Sequence, residues 1–520
     1  MRINILIGGK AGQGINKVSE IVSGVLNKYG YFTFNHRDYP SLIRGGHNFN
    51  VLSVSDERVG SIESKLDIIL ALDEKTAEIH KKDLKKNGIL IKCDKFCDIG
   101  RNLNITLAGM LIKILGIPIE NFIEEIKTEL GKDNNDAINA GKTGYNEEKS
   151  KFNLKKLNNK IENMNGSEAI SVGAINSEVN LYLGYPMTPA TNVLHELASR
   201  EFNNSSGRDL MVFEPENEIA VANAAIGASF AGAKVMIGTA GGGYDLMTEA
   251  LSFQGMAEIP LVVYLATRPG PGTGVPTYSS QADLDIALRG GHGEFPRIVI
   301  APGDPIECIE KTNEAFYLSE KYNVLSIVLS DKNLAESEFS FDRKPNKIIP
   351  IKVNRKIPGE GIVKASSYEH DIHGNTTEDA EITRKSADKR IEKYEEIKKE
   401  CKNYQMIKIY GNKNAKNLVI GWGSTKTVIL DALDSIDESI KTGKGNWKFL
   451  QVLYMKPLSD EIKKEISMAK KVILVEENVT GQLGRLIREK TGLLIKNRIL
   501  KYDGRPFYSD KLKEEMLKIK

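Results

Sequence analysis

One stretch of this chain, between Phe213 and Gly243, constrains the fold more than any other. It reads FEPENEIAVANAAIGASFAGAKVMIGTAGGG, which predicts a loop, a helix of about fifteen residues, a short strand and a glycine turn. Pro215 suits the first position of a helix, because its missing N–H has no intrahelical partner there. We therefore expect Glu216 and Glu218 in the first turn, where the helix dipole favours negative charge.

Small side chains fill this predicted helix, and they allow another backbone or a flat ligand to approach closely. They are Ala220, Ala222, Ala224, Ala225, Gly227, Ala228, Ser229 and Ala231. The strand Val235–Thr239 carries no charge and should be buried, and we expect Gly241–Gly243 to open the next turn. This stretch alone leaves open whether the acids at the helix start have a function beyond satisfying the dipole.

Length and composition limit the classes of protein that the chain can belong to. With 520 residues and a net charge of +3, we expect about three domains and no nucleic-acid or membrane partner. Four scattered cysteines indicate a reduced cytoplasm, and their spacing predicts neither a disulfide framework nor an iron–sulfur cluster or other metal site. No apolar run approaches the length of a membrane span. We therefore predict a cytoplasmic α/β protein.

The N-terminal part begins with a strand, a glycine loop and a helix. The strand Ile3–Ile7 precedes GGKAGQG (Gly8–Gly14), and a helical pattern continues to about Lys28. This order directs backbone N–H groups toward a phosphate, although the glycines could equally serve only a tight turn. Their spacing, G-x-x-G-x-G, differs from the dinucleotide-binding G-x-G-x-x-G. We place the end of this α/β domain near residue 132, and residues 133–166 are expected to form a linker.

Two loops of the next α/β domain, residues 167–340, have unusual compositions. GYPMTPAT (Gly184–Thr191) contains two prolines, and TRPGPGTGVPTYSSQ (Thr267–Gln281) combines glycines and prolines with an arginine. Each follows a predicted buried strand, and open α/β sheets bind ligands in loops at the carboxyl ends of their strands. A charged connector, residues 341–415, with a helix over Ala387–Lys399, precedes a last α/β domain, residues 416–520.

Several of these motifs together resemble one family. GYPMTPAT, ENEIA with AAIGASFAGAK, and TRPGPGTGVPT are similar to the alpha subunit of 2-oxoacid:ferredoxin oxidoreductases, as are the later YEHDIHGNTTED, ENVTGQLGRL and KYDGRPF. The N-terminal GGKAGQG with IRGGHNFNV resembles that family's gamma domain, fused here ahead of alpha. The resemblance implies a gamma α/β domain (1–132), a pyrimidine-type thiamine diphosphate domain (167–340) and a transketolase C-terminal-like domain (416–520).

The resemblance implies a reaction with thiamine diphosphate and coenzyme A. Members of this family cleave a 2-oxoacid oxidatively to acyl-coenzyme A and carbon dioxide and reduce ferredoxin. The fused gamma–alpha order is typical of the 2-oxoglutarate branch, so 2-oxoglutarate is the first expected substrate. Pyruvate and branched-chain 2-oxoacids stay open.

The family pattern also assigns residues around the cofactor. Enzymes of this kind place a carboxylate against N1′ of the aminopyrimidine, and the glutamate before I-A-x-A-N-A-A is Glu218 here. Glu214 and Glu216 are then a loop acid and a first-turn acid. Tyr185 and Pro186, in the GYPMTPAT loop, are expected to contact the cofactor.

Three residues are expected to bind the substrate. Arg268 offers a bidentate fork for the 2-oxoacid carboxylate, and the family pattern assigns it that role. Thr188 and Thr277 match the family's substrate-contacting threonines. Without the resemblance, Arg268 could form a surface ion pair and Thr188 could be a turn hydroxyl. His292 receives no role.

The chain departs from the family pattern in three places. It has Ala240-Gly241-Gly242-Gly243 where S-G-P-G is usual, and Gly270–Gly274 reads G-P-G-T-G where G-P-S-T-G is common. In the gamma segment, Tyr39-Pro40-Ser41-Leu42-Ile43-Arg44-Gly45-Gly46 replaces Y-G-x-x-x-R-G-G. These departures concern the substrate pocket and the gamma-domain contacts, and none of them falls on Glu218.

Half of the cofactor site is missing from the sequence. A G-D-G followed by N would hold Mg²⁺ and the diphosphate, and Pro302-Gly303-Asp304 does not qualify because a proline follows it. The resemblance implies a beta subunit that supplies the Mg²⁺ and diphosphate site and an iron–sulfur cluster, in a heterodimer or a dimer of heterodimers. Three alternatives stay open: a non-catalytic assembly subunit, a nicotinamide-dependent dehydrogenase and a non-redox thiamine enzyme.

Overall fold

The structure is a computed structural model, and it describes residues 1–40, 46–93, 96–202, 210–353 and 355–519. Arg44 and Gly45 of the predicted gamma-segment turn lie outside the described residues. The strands within these ranges are β1 (Arg2–Lys10), β2 (Phe32–Asp38), β3 (His47–Ser55), β4 (Leu66–Ala71), β5 (Leu84–Lys92), β6 (Glu162–Asn165), β7 (Leu181–Gly184), β8 (Met211–Phe213), β9 (Val235–Thr239), β10 (Leu261–Thr267), β11 (Arg297–Ile300), β12 (Leu325–Asp331), β13 (Glu338–Phe341), β14 (Ile407–Gly411), β15 (Asn417–Gly421), β16 (Trp447–Val452), β17 (Tyr454–Lys456), β18 (Lys471–Glu476) and β19 (Asn497–Leu500).

The α-helices alternate with these strands over most of the chain. They are α1 (Ile15–Lys28), α2 (Glu74–His80), α3 (Leu103–Leu115), α4 (Ile119–Leu130), α5 (Asn135–Asn146), α6 (Gly166–Asn176), α7 (Thr191–Phe202), α8 (Glu218–Phe230), α9 (Gly241–Ala257), α10 (Leu284–Arg289), α11 (Pro305–Tyr322), α12 (Lys332–Glu336), α13 (Ala380–Cys401), α14 (Thr425–Asp437), α15 (Ser439–Thr442), α16 (Glu461–Met468), α17 (Gln482–Thr491) and α18 (Ser509–Lys518). Among these helices, none combines the length and the apolar character required to cross a bilayer.

The first of two compact units contains residues 1–164, 337–343 and 507–514. Its seven-stranded sheet has the order β5-β4-β1-β3-β2-β13-β6. Strand β1 pairs parallel with β4 and antiparallel with β3. Apolar side chains from β1, α1, α3 and α4 form one buried core over this sheet. The predicted strand, glycine loop and helix at the N-terminus are all present.

The second unit contains residues 165–336, 344–506 and 515–520, and it holds two sheets. The larger sheet has the order β17-β11-β12-β10-β9-β7-β8. Strand β17 pairs antiparallel with β11, and the other neighbouring strands pair parallel. The smaller sheet has the order β14-β16-β15-β18-β19, with β14 antiparallel at its edge. Parallel strands buried on both faces read as apolar runs without alternation, which is why the sequence predicts them. The α/β fold class is thus confirmed.

Two segments contain more regular structure than we predicted, while the domain bounds themselves stay a prediction. Residues 133–166, expected to be a linker, include α5, whose N-cap Asn134 accepts from the Ala137 N–H. The connector 341–415 includes α13, longer than predicted, and also β14, so the smaller sheet begins before residue 416. The ENVTGQLGRL motif leads into α17, which begins at Gln482, and α18 follows.

Candidate active site

Four neighbouring strands bring the predicted site residues to one edge of the larger sheet. Strand β7 pairs parallel with β8 and β9, and β9 pairs parallel with β10. Because parallel strands end at the same edge, the segments after β7, β8, β9 and β10 lie together there. They carry Thr188, Glu218, the three glycines Gly241–Gly243, and Arg268.

Glu218 is the first residue of α8, and the residue before it caps the helix. The Asn217 side chain accepts a hydrogen bond from the Ala220 N–H at 2.9 Å, which satisfies one of the free donors of the first turn. The prediction that Pro215 opens the helix and that Glu216 lies in its first turn is therefore wrong. Glu216 is exposed ahead of the cap, whereas Glu218 is only 4% exposed.

Gly243 makes room for the Glu218 carboxyl. A Cβ atom on Gly243 would lie 2.8 Å from Glu218 Oε1 and 2.9 Å from its Cγ, and it would overlap Thr239 Oγ1. The glycines do not form the turn that we predicted, because Gly241–Gly243 are the first three residues of α9. Glu218 thus lies where two helices begin and where a side chain on α9 would displace it.

The same contacts explain the departure from S-G-P-G in this segment. A Cβ on Gly241 would lie 2.8 Å from the Asp283 Cγ atom, and one on Gly243 would meet Glu218. A Cβ on Gly242 would lie 4.0 Å from the Gly272 carbonyl oxygen, its nearest neighbour outside the surrounding helix backbone. The two positions at which this chain keeps the family glycines are therefore those at which a carboxyl group abuts the backbone. The change at Gly242 leaves the surroundings of Glu218 intact.

The Glu218 carboxyl is a hydrogen-bond acceptor at the start of α8. The side chain is 4% exposed, and among the described residues no side-chain hydrogen bond ends on this carboxyl. Its oxygens can therefore accept a hydrogen bond from a ligand. An N–H of a bound heterocycle would donate that hydrogen bond, so the site fits the aminopyrimidine ring of thiamine diphosphate.

Arg268 follows β10 and reaches the loop after β7. Its Nη1 donates to the Thr188 carbonyl oxygen at 2.8 Å. Burial lowers the pKa of Arg268, and the nearby carboxylates of Asp283 and Glu218 act in the opposite direction. Within the described part of the chain, no carboxylate comes close enough to form an ion pair with this guanidinium. Its remaining N–H groups are therefore available to a ligand.

Thr277, on the same loop as Arg268, also carries an unused polar group. Its side chain is buried, and its hydroxyl has no hydrogen-bond partner among the described residues. The structure thus brings Thr188 and Arg268 into direct contact and places Thr277 in the same loop. Tyr185 and Pro186 are exposed, and their roles stay a prediction. The exposed His292 donates its backbone N–H to Ser252 Oγ and keeps no assigned role.

Segments far along the chain hold the Thr267–Gln281 loop in place. The Gln281 N–H donates to the Glu477 carbonyl oxygen at 2.7 Å, and Gln281 Oε1 accepts from the Glu477 N–H at 2.9 Å. Gln281 Nε2 also donates to the Trp422 carbonyl oxygen at 2.8 Å. Sequence reasoning missed this anchoring, although it had singled out ENVTGQLGRL as a motif.

A second anchor comes from KYDGRPF. The Ser279 N–H donates to the Gly504 carbonyl oxygen at 3.0 Å. The Arg505 guanidinium lies 3.5 Å from the centre of the Tyr278 ring, a cation–π contact. The late motifs of the chain therefore position the Thr267–Gln281 loop.

The acidic residue of Pro302-Gly303-Asp304 has a structural role. Asp304 caps α11 by accepting from the Glu307 N–H at 2.8 Å, and its carboxylate accepts from the buried Lys426 Nζ at 2.5 Å. A search of the described residues for three or more histidine, cysteine or acidic side chains able to hold a metal ion finds none.

Comparisons with known proteins agree with this geometry. The family models "Pyruvate ferredoxin/flavodoxin oxidoreductase" and "Pyruvate flavodoxin/ferredoxin oxidoreductase, thiamine diP-bdg" match residues 4–176 and 172–406. The 2-oxoacid:ferredoxin oxidoreductase subunit alpha of a Sulfolobus species is 29% identical over 100% of this chain and 97% of its own length. The 2-oxoglutarate synthase subunit KorA of Methanocaldococcus jannaschii is 31% identical over 62% of this chain and 90% of its own length.

A solved structure shares the whole fold. The 2-oxoglutarate:ferredoxin oxidoreductase from Magnetococcus marinus, with 2-oxoglutarate, coenzyme A and succinyl-CoA bound, matches with a TM-score of 0.87 at 24% identity and covers 99% of both chains. The fold and the matching family models together define an oxidoreductase subunit with an α/β domain of the thiamine-diphosphate-binding type. Within that class, this chain belongs to the alpha subunits of the 2-oxoacid:ferredoxin oxidoreductases, as its motifs predicted.

Proposed function

We propose that this chain is the catalytic alpha subunit, with a fused gamma domain, of an enzyme that converts a 2-oxoacid, coenzyme A and oxidised ferredoxin into acyl-coenzyme A, carbon dioxide and reduced ferredoxin. The observation that carries the proposal is Glu218, whose side chain is only 4% exposed at the start of α8 and whose carboxyl lies against Gly243. An assembly role alone does not require a carboxyl group at this position.

Glu218 would hold the aminopyrimidine ring of thiamine diphosphate by accepting a hydrogen bond from N1′. When bound, thiamine diphosphate supplies the carbon nucleophile and the electron sink for cleavage next to a carbonyl group. Glu218 contributes a carboxylate that holds and returns a proton at N1′. A positioned acid–base group of this kind contributes about 10²–10⁴ to the rate.

Arg268 and the two threonines would bind the substrate. The free N–H groups of Arg268 offer the planar, bidentate geometry that suits a carboxylate. Its bond to the Thr188 carbonyl oxygen fixes the direction of the guanidinium. The unpartnered Thr277 hydroxyl offers a further donor for an oxygen of the 2-oxoacid.

We propose 2-oxoglutarate as the first substrate to test, ahead of pyruvate and branched-chain 2-oxoacids. Relatives named 2-oxoglutarate synthase subunit KorA support this choice, among them one that is 39% identical over 33% of this chain. The fused gamma–alpha order supports it as well. The ligands of the Magnetococcus marinus enzyme are compatible with the same chemistry.

We propose a beta subunit as the partner that completes the site with Mg²⁺, the diphosphate pocket and an iron–sulfur cluster, and ferredoxin as the electron acceptor. Large apolar side chains next to Glu218 in the fold support this partner: Phe213 before α8, Ile219 on α8 and Leu246 on α9 are all more than half exposed. Exposed apolar patches of this kind mark protein interfaces. A heterodimer or a dimer of heterodimers would cover them.

The experiment is a comparison of two glutamine variants in the complex co-expressed with the beta subunit. Glu218→Gln should lower 2-oxoacid-dependent ferredoxin reduction by about 10²-fold or more, whereas Glu216→Gln, at an exposed position two residues away, should leave it unchanged. Equal activity of Glu218→Gln and the wild type would support the assembly-subunit alternative instead. A panel of 2-oxoglutarate, pyruvate and a branched-chain 2-oxoacid then identifies the substrate.

The isolated chain provides a separate test of the shared site. Because the diphosphate half is expected on another polypeptide, the purified single chain should not reduce a dye with any 2-oxoacid. Steady dye reduction by the single chain would contradict the proposed partner, though not the proposed reaction.

A further inference from the structure

A buried serine near the end of the Thr267–Gln281 loop is bonded to two carboxyl groups. The Ser279 side chain is 4% exposed. Its Oγ lies 3.1 Å from Glu477 Oε2 and 3.4 Å from Asp331 Oδ1. A hydroxyl has one hydrogen to donate, so the two carboxyl groups share it as alternative acceptors. Both carboxyl groups are themselves buried, and hydrogen bonds are stronger there than in water.

The two carboxyl groups belong to different sheets of the second unit. Asp331 is the last residue of β12 in the larger sheet, and its Oδ1 also accepts from the Leu334 N–H at 3.0 Å. Glu477 follows β18 of the smaller sheet, and its backbone is bonded to Gln281. Ser279 therefore ties the Thr267–Gln281 loop to both sheets through one side chain.

A short path of contacts connects Ser279 to the residues expected to bind the substrate. Thr277 precedes Ser279 by two residues. At the other end of the loop, the hydroxyl of Thr267, the residue before Arg268, donates to the Ser280 carbonyl oxygen. The start and the end of the loop are therefore bonded to each other. A displacement of Ser279 should move Arg268 and Thr277 together.

The glutamate of the cofactor site is placed by other contacts. Glu218 is held by the Asn217 cap at the start of α8 and by Gly243 at the start of α9. Neither of these residues belongs to the Thr267–Gln281 loop. Loss of the Ser279 hydroxyl should therefore affect the binding of the substrate and leave the binding of the cofactor intact.

We propose that Ser279 is a positioning residue for the 2-oxoacid. Its hydroxyl, held between Asp331 and Glu477, fixes the Thr267–Gln281 loop so that Arg268 and Thr277 meet the substrate. The inference rests on the proposed function, because it requires that Arg268 and Thr277 bind the 2-oxoacid. It predicts that substrate affinity depends on a hydroxyl whose partners are all protein groups.

The test is the steady-state kinetics of the complex with its beta subunit, measured with the 2-oxoacid that the panel identifies. Ser279→Ala should raise KM about tenfold and change kcat by less than about twofold, because one lost hydrogen bond shifts the loop without altering the cofactor site. Isothermal titration of thiamine diphosphate into the cofactor-free complex should give the wild-type affinity. Ser279→Thr keeps the hydroxyl and should keep KM within about threefold of the wild type.

Ser326→Ala is the matched control. Ser326 lies on β12, the strand that Asp331 ends, and it is fully buried; within the described part of the chain its hydroxyl has no hydrogen-bond partner. This variant removes a buried hydroxyl from the same strand without altering the loop, so it should keep the wild-type KM. Ser279→Cys serves if the alanine variant fails to assemble. Its thiol fills nearly the same space but is a weak donor, so KM should again rise, by about threefold or more.

An active Ser279→Ala or Ser279→Cys complex with KM within about twofold of the wild type would overturn the inference. A kcat that falls while KM stays constant would do the same, because it would assign Ser279 to the chemical step. So would a weaker affinity for thiamine diphosphate, because Ser279 would then support the whole fold and not the substrate loop alone. Absence of any 2-oxoacid turnover by the wild-type complex would instead overturn the proposed function on which the inference rests.

Discussion

Gly243→Ala tests how the carboxyl of Glu218 is placed, without altering the carboxyl itself. The added methyl carbon would lie 2.8 Å from Glu218 Oε1 and 2.9 Å from its Cγ, and would overlap Thr239 Oγ1. Real Cβ contacts are essentially never this short, so at least one of the three groups must move. Thr239 belongs to the fully buried strand β9, which leaves the Glu218 side chain to give way.

The magnitude follows from two opposing terms. Glycine to alanine inside a helix stabilises by about 0.5–1 kcal/mol, whereas overpacking a buried contact costs about 1–3 kcal/mol. The free energy of unfolding should therefore fall by about 0–2.5 kcal/mol. Activity should respond far more strongly, because a catalytic group misplaced by about 1 Å loses about 10²-fold in rate.

Gly242→Ala is the control, because its Cβ would lie 4.0 Å from the Gly272 carbonyl oxygen, its nearest neighbour outside the surrounding helix backbone. This variant should keep full activity and gain a few tenths of a kcal/mol in stability. The assays are urea unfolding of the chain and 2-oxoacid-dependent ferredoxin reduction by the complex. A Gly243→Ala complex with activity within twofold of the wild type would refute the argument that Gly243 positions Glu218.

Three further substitutions test other parts of the structure. Arg268→Lys keeps the charge but loses the fork geometry, so we expect KM for the 2-oxoacid to rise about tenfold or more in steady-state kinetics. Lys426→Met removes the buried ammonium group that pairs with the Asp304 and Glu307 carboxylates; Glu307 keeps only the more distant cation Lys408 at 3.8 Å, so the urea unfolding free energy should fall by about 3 kcal/mol. Burial raises the pKa of Glu476 to about 7. Because the folded state keeps this proton up to a higher pH than the unfolded state does, the free energy of unfolding falls as the pH rises from about 4.5 to 7. Glu476→Gln should remove about 3 kcal/mol of that fall, and an unchanged pH profile would contradict this.

The sequence predicted those elements whose own residues are apolar enough to indicate a buried strand. Val235–Thr239 has no charge, and the structure has a strand with these bounds, buried throughout. Glu218 was assigned to the cofactor because its motif resembles that of a known family, and this assignment stays a prediction. The predicted start of α8 was wrong because two residues can each open a helix here. The Asn217 side chain caps the helix, so α8 begins after Asn217 and not at Pro215.

Helix α5 could not be predicted, because its packing uses glycines. Ile138 and Tyr145 are its only large apolar or aromatic side chains, whereas Gly144 lies so close to α3 that a Cβ there would overlap the Thr106 carbonyl oxygen. The approach is reciprocal, since a Cβ on Gly109 of α3 would overlap the Gly141 carbonyl oxygen. Two helices that touch through their backbones leave little hydrophobic periodicity in the sequence.

The arrangement of the site depends on contacts between residues close in the sequence and on contacts between residues far apart in it. Glu218 is placed locally, by the Asn217 cap and by Gly243, which lie at the starts of the successive helices α8 and α9. Arg268 is placed by a loop whose anchors, Glu477 and Gly504, come from around two hundred residues later in the chain. A change in those anchors should therefore alter substrate binding and leave the position of the Glu218 carboxyl intact. The residues of the site can be named from their motifs, whereas their mutual placement requires the contacts that only folding brings together.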